Sequence, residues 1–223
     1  MTTQILFIRH GETDWNRIKR IQGHIDIPLA ASGIAQAQRL AARLAHESGQ
    51  GARLDAIYSS DLQRARQTAQ PVADALGMSL LLNEGLRERS FGAFQGHDSE
   101  EIAQRFPDEY AQWQTRDPGF APPEGESHRV FYHRVLHALE PIVAAHPNGR
   151  IACVAHGGVL DCVYRFARGI SLDAPRDYPL LNTSVNVVDF GGGGATVVSW
   201  ADVEHLDGHS DDDSFYKSPQ AAR

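Results

Sequence analysis

Cysteine is nearly absent from this chain. Cys153 and Cys162 are the only two among 223 residues, and both sit in apolar surroundings. That excludes a disulfide-stapled scaffold; with no secretory signal at the start, a reduced, cytoplasmic setting is expected. No apolar run approaches the roughly 18 residues needed to cross a bilayer, so no membrane association is expected. Lysine is also scarce: Lys19 and Lys217 are the only two, and every other basic side chain is arginine. Arginine's planar fork suits phosphate or carboxylate, although GC-rich codon usage would give the same bias. A formal charge of −7 argues against a general nucleic-acid binder, which needs a basic face.

What is present is an alternation of strand and helix signals. Ile5 to Ile8 form an apolar strand that runs into Arg9-His10-Gly11. Asp14-Trp15-Asn16 opens a short helix or turn, and Ser32 reads as the N-cap of a helix carrying Ala37, Leu40, Ala41 and Leu44 on one face. Ala56-Ile57-Tyr58 is a second strand, followed by a helix from about Leu62 to Leu76 and a third strand from Ser79 to Leu82. Residues 97–125 are the least regular, with room for two short helices. A long helix is expected from Ser127 to Ala145, then a strand from Arg150 to Ala155 ending in His156-Gly157-Gly158 and another helix. Two late strands, Val185 to Phe190 and Thr196 to Trp200, flank the glycine run 191–194. The pattern predicts an α/β fold, a three-layer α/β/α sandwich with a mostly parallel central sheet. Residues 1–203 are read as one domain and 204–223 as a polar C-terminal tail.

Ligands of open α/β sheets bind beyond the carboxyl ends of the strands. Three predicted strand ends carry polar residues that make little sense as core. The first offers Arg9 and His10, the second opens the helix that bears Arg64, and the fourth offers His156-Gly157-Gly158. Any one of them reads equally well as an ordinary loop residue or helix cap. Together on one sheet edge they point to an anion site.

The chain also resembles the histidine phosphatase superfamily, the phosphoglycerate mutase-like group, over residues 4 to 203. The resemblance rests on several blocks in order. They are Leu6-Phe7-Ile8-Arg9-His10-Gly11-Glu12-Thr13-Asp14-Trp15-Asn16, then Arg20-Ile21-Gln22-Gly23-His24-Ile25-Asp26 with Pro28-Leu29. Tyr58-Ser59-Ser60-Asp61-Leu62-Gln63-Arg64 continues to Ala69, and Leu86-Arg87-Glu88-Arg89-Ser90-Phe91-Gly92 follows. Pro123-Glu124-Gly125-Glu126-Ser127 and Ala155-His156-Gly157-Gly158 complete the set. By that resemblance His10 accepts the phosphoryl group, and Arg9, Arg64 and His156 hold its oxygens. Asn16, Gln22, Gly23 and Gly157 face the substrate. Glu88 is implied as the general acid, then base; taken without the resemblance it reads better as a surface ion pair with Arg87 or Arg89. The resemblance implies no metal and no cofactor.

Water or a second hydroxyl could take the phosphoryl group. The mutases that this chain resembles carry adjacent arginines shortly after a tryptophan, whereas Trp113 is followed by Gln114-Thr115 and a single Arg116. Arg89 agrees with the mutase pattern, but Ser90 and Phe91 stand where a histidine and a tyrosine are expected. The expected activity is therefore a metal-independent phosphomonoester hydrolase acting on a small phosphorylated metabolite. A phosphoglycerate mutase using 2,3-bisphosphoglycerate is the alternative, and a non-catalytic relative that binds a phosphorylated ligand is a third. Residues 97–125, with Phe106, Tyr110, Trp113, Arg116 and Phe120, should cover the site and choose the leaving group. A homodimer is compatible with such a fold, and no apolar stripe in the sequence marks its interface. His133 and His137 have the spacing of a metal pair but lack a third ligand, so a solvated or packing role is expected. His205, His209 and Asp211-Asp212-Asp213 are expected to be solvated tail.

Overall fold

The apolar run near the amino terminus forms β1 (Thr2–Arg9), with Ile5, Leu6, Phe7 and Ile8 wholly buried. Four consecutive buried side chains require apolar cover on both faces, the condition of an interior strand in a helix-flanked sheet. The computed structural model, which describes residues 2–206, supplies that cover. β1 pairs in parallel with β4 (Arg150–Ala155) and antiparallel with β5 (Val185–Gly191). β4 pairs in parallel with β2 (Ala56–Ser59), and β2 in parallel with β3 (Leu80–Leu82). β6 (Gly194–Asp202) closes the other edge antiparallel to β5, giving the order β3-β2-β4-β1-β5-β6. The sheet is mostly parallel, and the glycine run turns the β5–β6 hairpin with Gly192 and Gly193 at positive φ.

Side-chain alternation along the strands divides the core in two. Leu6, Ile8, Ala152 and Val154 face α2 (Ala31–Gly49) and α3 (Gln63–Leu76), where they meet Leu40, Leu44, Ala65 and Val72. Ile5, Phe7, Ile151 and Cys153 face α6 (His128–Ala145) and α7 (Gly157–Arg168), where they meet Phe131, Val135, Val159 and Val163. The result is the expected three-layer sandwich. A third cluster lies outside it. Ile21, Phe91, Phe94 and Ile102 pack with Phe106, Tyr110, Trp113 and Phe120 around α4 (Ser99–Arg105) and α5 (Pro107–Gln114).

Two local expectations need correction. Ser32 is not an N-cap: the cap position lies two residues earlier, at Ala30, with no side-chain cap, and α2 starts at Ala31. The helix start is pressed onto the loop after β1, with the Ala30 amide donating to the Glu12 carbonyl, and a Cβ on Gly33 would lie 2.1 Å from that oxygen. Ser32 Oγ bonds instead to the Glu12 carboxylate and accepts from Arg17 at 2.7 Å. The polar tail was expected from residue 204, but Glu204–Leu206 form a 3-10 turn that buries Leu206. His205 Nε2 there lies 3.4 Å from Thr183 Oγ1, whereas His209 and Asp211 to Asp213 fall outside the described residues. No helix among the described residues is long and apolar enough to cross a membrane.

Parallel pairing brings three strand ends to one edge. Arg9 lies opposite Ala155 and Ser59 opposite Val154. Just beyond, the His10 amide donates to the Ala155 carbonyl and the Ser60 amide to the Val154 carbonyl, both at 2.9 Å. His10, Ser60 and His156 are therefore fixed as neighbours by backbone alone.

Candidate active site

His10 is 3% exposed, and its Nδ1 lies 2.8 Å from the Gly11 carbonyl. A carbonyl only accepts, so Nδ1 carries the proton and Nε2 keeps its lone pair. Burial lowers the affinity of the ring for a second proton well below the ordinary histidine value, and the charges of Arg64 and Arg9 add to the effect. His10 is thus a neutral imidazole on the wall of a cleft. That cleft is also lined by Arg9, Asn16, Lys19, Arg20, Ile21, Gln22, Gly23, Arg64, Glu88, Phe91, Gly157 and Gly158.

Two of the cleft arginines, Arg9 and Arg64, donate to main-chain carbonyls. Arg64 is fully buried at the first turn of α3 and donates to the Gly23 and Ile25 carbonyls at 2.7 and 3.1 Å. Burial pulls its pKa down to about 10, which leaves it charged at neutral pH. Arg9 donates to the Leu180 carbonyl. Gly23 can follow this path because glycine tolerates its φ of +51°. A Cβ there would also strike the Gln95 side chain.

Thr13 organises the opposite wall. It caps α1 (Asp14–Arg17) through a reciprocal bond with Asn16: its Oγ1 accepts the Asn16 amide at 3.1 Å and donates to Asn16 Oδ1 at 2.9 Å. The same Oγ1 accepts from Gln22 Nε2 at 2.9 Å. With its oxygen engaged, the donors Asn16 has to offer are those of its NH2 group, and Asn16 lines the cleft.

Glu88 is not in a surface ion pair with either neighbour. Arg87 pairs with Asp61, and Arg89 donates to the Glu126 and Phe120 carbonyls at 2.8 and 3.1 Å. The Glu88 carboxylate instead accepts the Arg89 amide at 2.8 Å and the Gly158 amide, at the start of α7, at 3.0 Å. Its own carbonyl is held by His24 Nε2 at 2.7 Å and Arg134 at 3.0 Å. A helix N-terminus is a favourable place for a carboxylate or a phosphate.

His156 is wholly buried, with its ring 5.2 Å from that of His10. Burial, then Arg64 and His10, keep it neutral by lowering its proton affinity well below the ordinary value. The nine expected site residues therefore come together: His10, Glu88, Arg9, Arg64, Asn16, Gln22, Gly23 and Gly157 line the cleft, and the His156 ring lies 5.2 Å from that of His10.

Sequence reasoning missed Lys19 and Arg20, which also line the cleft. Two adjacent cations between Asn16 and Gln22 were the available signal. Arg20 is balanced by Glu101 at 2.9 Å. Gly158 was missed as the donor to Glu88, and a Cβ there would lie 2.1 Å from Glu88 Oε1. The expectation for residues 97–125 needs revision. Phe106, Tyr110, Trp113 and Phe120 do not line the cleft but pack around Phe94, because a lobe outside the sandwich needs a core of its own. Among the described residues no group of three or more His, Cys, Asp or Glu could hold a metal ion. His137 is exposed and lies 3.4 Å from Glu140.

Known proteins are similar to this chain over most of their length. Phosphoglycerate mutase-like protein 4 of Arabidopsis thaliana is 40% identical over 92% of this chain and 87% of its own. The metal-independent phosphoserine phosphatase of the same plant is 38% identical over 92% and 83%. Among solved structures, a mutant phosphoserine phosphatase of Entamoeba histolytica in complex with phosphoserine superposes with a TM-score of 0.80 at 30% identity, covering 92% of this chain and 99% of that one. The Entamoeba enzyme has also been solved with 3-phosphoglyceric acid, at a TM-score of 0.79, with the same identity and coverage. The family model described as histidine phosphatase superfamily (branch 1) matches residues 5–203, so the likeness takes in the whole sandwich, the lobe and every strand end that meets at the cleft. This chain belongs to the histidine phosphatase superfamily.

Proposed function

We propose that the protein is a phosphomonoester hydrolase in which His10 carries the phosphoryl group between a small phosphorylated metabolite and water. The observation that supports this most is the state of His10. It is a neutral imidazole with its proton committed to the Gly11 carbonyl, in a cleft rich in arginine. In the first step Nε2 attacks phosphorus, the P–O bond to the leaving group breaks, and protonated Glu88 gives its proton to the departing alkoxide. In the second, the Glu88 carboxylate takes a proton from water, the hydroxide attacks phosphorus, and the N–P bond breaks. Inorganic phosphate leaves and both residues return to their starting states. Arg9, Arg64 and His156, with the amide of Asn16, offset charge on the phosphoryl oxygens, where phosphoryl transfer gains most of its catalysis. Gln22, Gly23 and Gly157 shape the rest of the pocket.

Hydrolysis is favoured over mutase chemistry because Arg89 is tied to two carbonyls and neither it nor Arg116 lines the cleft. The phosphoserine phosphatases among the relatives and solved structures support the same reading and place phosphoserine and 3-phosphoglycerate first among esters to try. Lys19 and Arg20 at the rim suit an ester that carries a second anionic group.

Two assays on purified protein in EDTA decide it. One follows phosphate release from phosphoserine, 3-phosphoglycerate and a panel of sugar and nucleotide-precursor phosphates. The other follows conversion of 3-phosphoglycerate to 2-phosphoglycerate with 2,3-bisphosphoglycerate present. Release without isomerisation is expected. Efficient isomerisation with little release would reverse the assignment, and tight phosphate binding with neither activity would leave only a binding protein.

A further inference from the structure

Ser60 follows β2 directly, is wholly buried, and takes no part in the scheme above. Its Oγ lies 2.8 Å from His156 Nε2 and 3.3 Å from the amide nitrogen of Leu62. A serine hydroxyl has one proton to give and two lone pairs to accept with. The Leu62 amide can only donate, so it occupies a lone pair. If Ser60 also accepted from His156, its own proton would have no acceptor among the described residues. If Ser60 donates to Nε2, every group is satisfied. Buried hydroxyls and ring nitrogens rarely go unpaired, and the second arrangement leaves none of these three wanting.

We propose that Ser60 is the positioning residue for His156: by donating to Nε2 it fixes the ring as the Nδ1–H tautomer and so makes Nδ1 a hydrogen-bond donor to the phosphoryl group. Nδ1 is the one ring atom left over. It is buried, without a partner among the described residues, on a ring whose neighbour is that of His10. With the opposite tautomer, Nδ1 would present a lone pair to phosphoryl oxygens and repel them. The two histidines then share one proton arrangement, Nδ1–H in each, set from opposite sides: the Gly11 carbonyl accepts from Nδ1 of His10, and the Ser60 hydroxyl donates to Nε2 of His156. In His10 that arrangement frees a nucleophile; in His156 it supplies a donor. The inference rests on the functional reading above for its phosphoryl ligand, but the tautomer itself does not depend on turnover.

The test is nitrogen NMR on protein labelled with 15N-histidine, with and without inorganic phosphate, for the native chain and Ser60→Ala. In the native chain the His156 Nδ1 signal should show a directly bonded proton, Nε2 should resonate as a bare nitrogen, and phosphate should shift the Nδ1 proton. In Ser60→Ala the ring should lose that single tautomer, and kcat on the best ester should fall roughly 10- to 100-fold, the worth of one charge-assisted hydrogen bond. A native ring protonated at Nε2, or a variant that keeps both the Nδ1–H signature and the native kcat, would overturn the proposal. Should the variant fail to fold, the native spectra still decide the tautomer and its response to phosphate. Should the native protein turn over no ester while showing the Nδ1–H ring, the functional reading would fail and the role of Ser60 would stand.

Discussion

The carbonyl of Gly11 takes the Nδ1 proton of His10 and leaves Nε2 bare, while the amides of Arg89 and Gly158 together hold the Glu88 carboxylate. Replacing His10 by alanine should abolish turnover while leaving the fold intact. The acid-labile phosphoprotein expected in the native protein after rapid quenching with 32P-labelled substrate should be absent from the variant, and native-like turnover would rule out covalent transfer through this residue. Gly158→Ala is a subtler probe. Its Cβ would lie 2.1 Å from Glu88 Oε1 and 2.9 Å from the Phe131 ring, so the carboxylate must leave its place. Steady-state kinetics should show kcat down roughly 10²-fold, the usual scale of a misplaced general acid, with circular dichroism unchanged. An unaltered kcat would remove Glu88 from the mechanism. Residue identity was legible in the sequence here, because Arg9, His10, Arg64, Glu88 and His156 stand in recognisable blocks. Phase was not: whether Gly157 or Gly158 offers its amide to Glu88 depends on where the first turn of α7 points, and no residue type reports that.

At the scale of elements, legibility followed the source of each element's stability. β1, β4, α3 and α6 were readable because apolar spacing alone specifies which face they bury; α6 begins beside Ser127 as expected, and Ser127 proves to be its cap, accepting from the Val130 amide at 3.2 Å. The start of α2 was misread at Ser32 because it is set by close approach to another loop, a contact that leaves only glycines as its trace. The lobe around α4 and α5 was misread for a related reason. An aromatic cluster near a site looks the same in sequence whether it touches substrate or holds its own support together. Phe94 is the hub, with ring centroids 5.6 Å from Phe106 and 5.5 Å from Trp113. Phe94→Ala should cost this lobe about 3–5 kcal/mol, the usual loss for an emptied core phenylalanine. Because Phe91 and Ile21 belong to both the lobe core and the cleft wall, KM should rise several-fold, and amide exchange across residues 99–114 should quicken. Unchanged exchange and KM would mean that the lobe does not shape the site.

For the whole molecule, a chain of net charge −7 gathers cations in one cleft and buries two histidines, His10 and His156, neutral beside them. This arrangement has a consequence for stability against pH. Burial and neighbouring arginines lower the proton affinity of His10 and His156 well below the ordinary value of 6.5, and burial followed by the charge of Arg43 brings His205 to about 4. Between those folded-state values and 6.5 the unfolded chain binds protons that the folded chain refuses, so stability increases with pH there. The histidine contribution is fully present above about pH 6.5 and is lost as pH falls toward the folded-state values. Carboxylates in ion pairs, such as Asp61 with Arg87 and Asp202 with Arg43, also have lowered values, which places their losses at more acid pH than ordinary carboxylates. Urea unfolding at pH 7.5, 6.5 and 5.5 should therefore show the midpoint nearly level over the first interval and falling over the second. The double variant His10→Asn, His156→Asn has no group at those positions to titrate, so its decline between pH 6.5 and 5.5 should be shallower whatever its starting stability. Parallel declines in the two proteins would mean that the cleft histidines are not held neutral, and the nucleophile would then have to be generated by substrate binding itself.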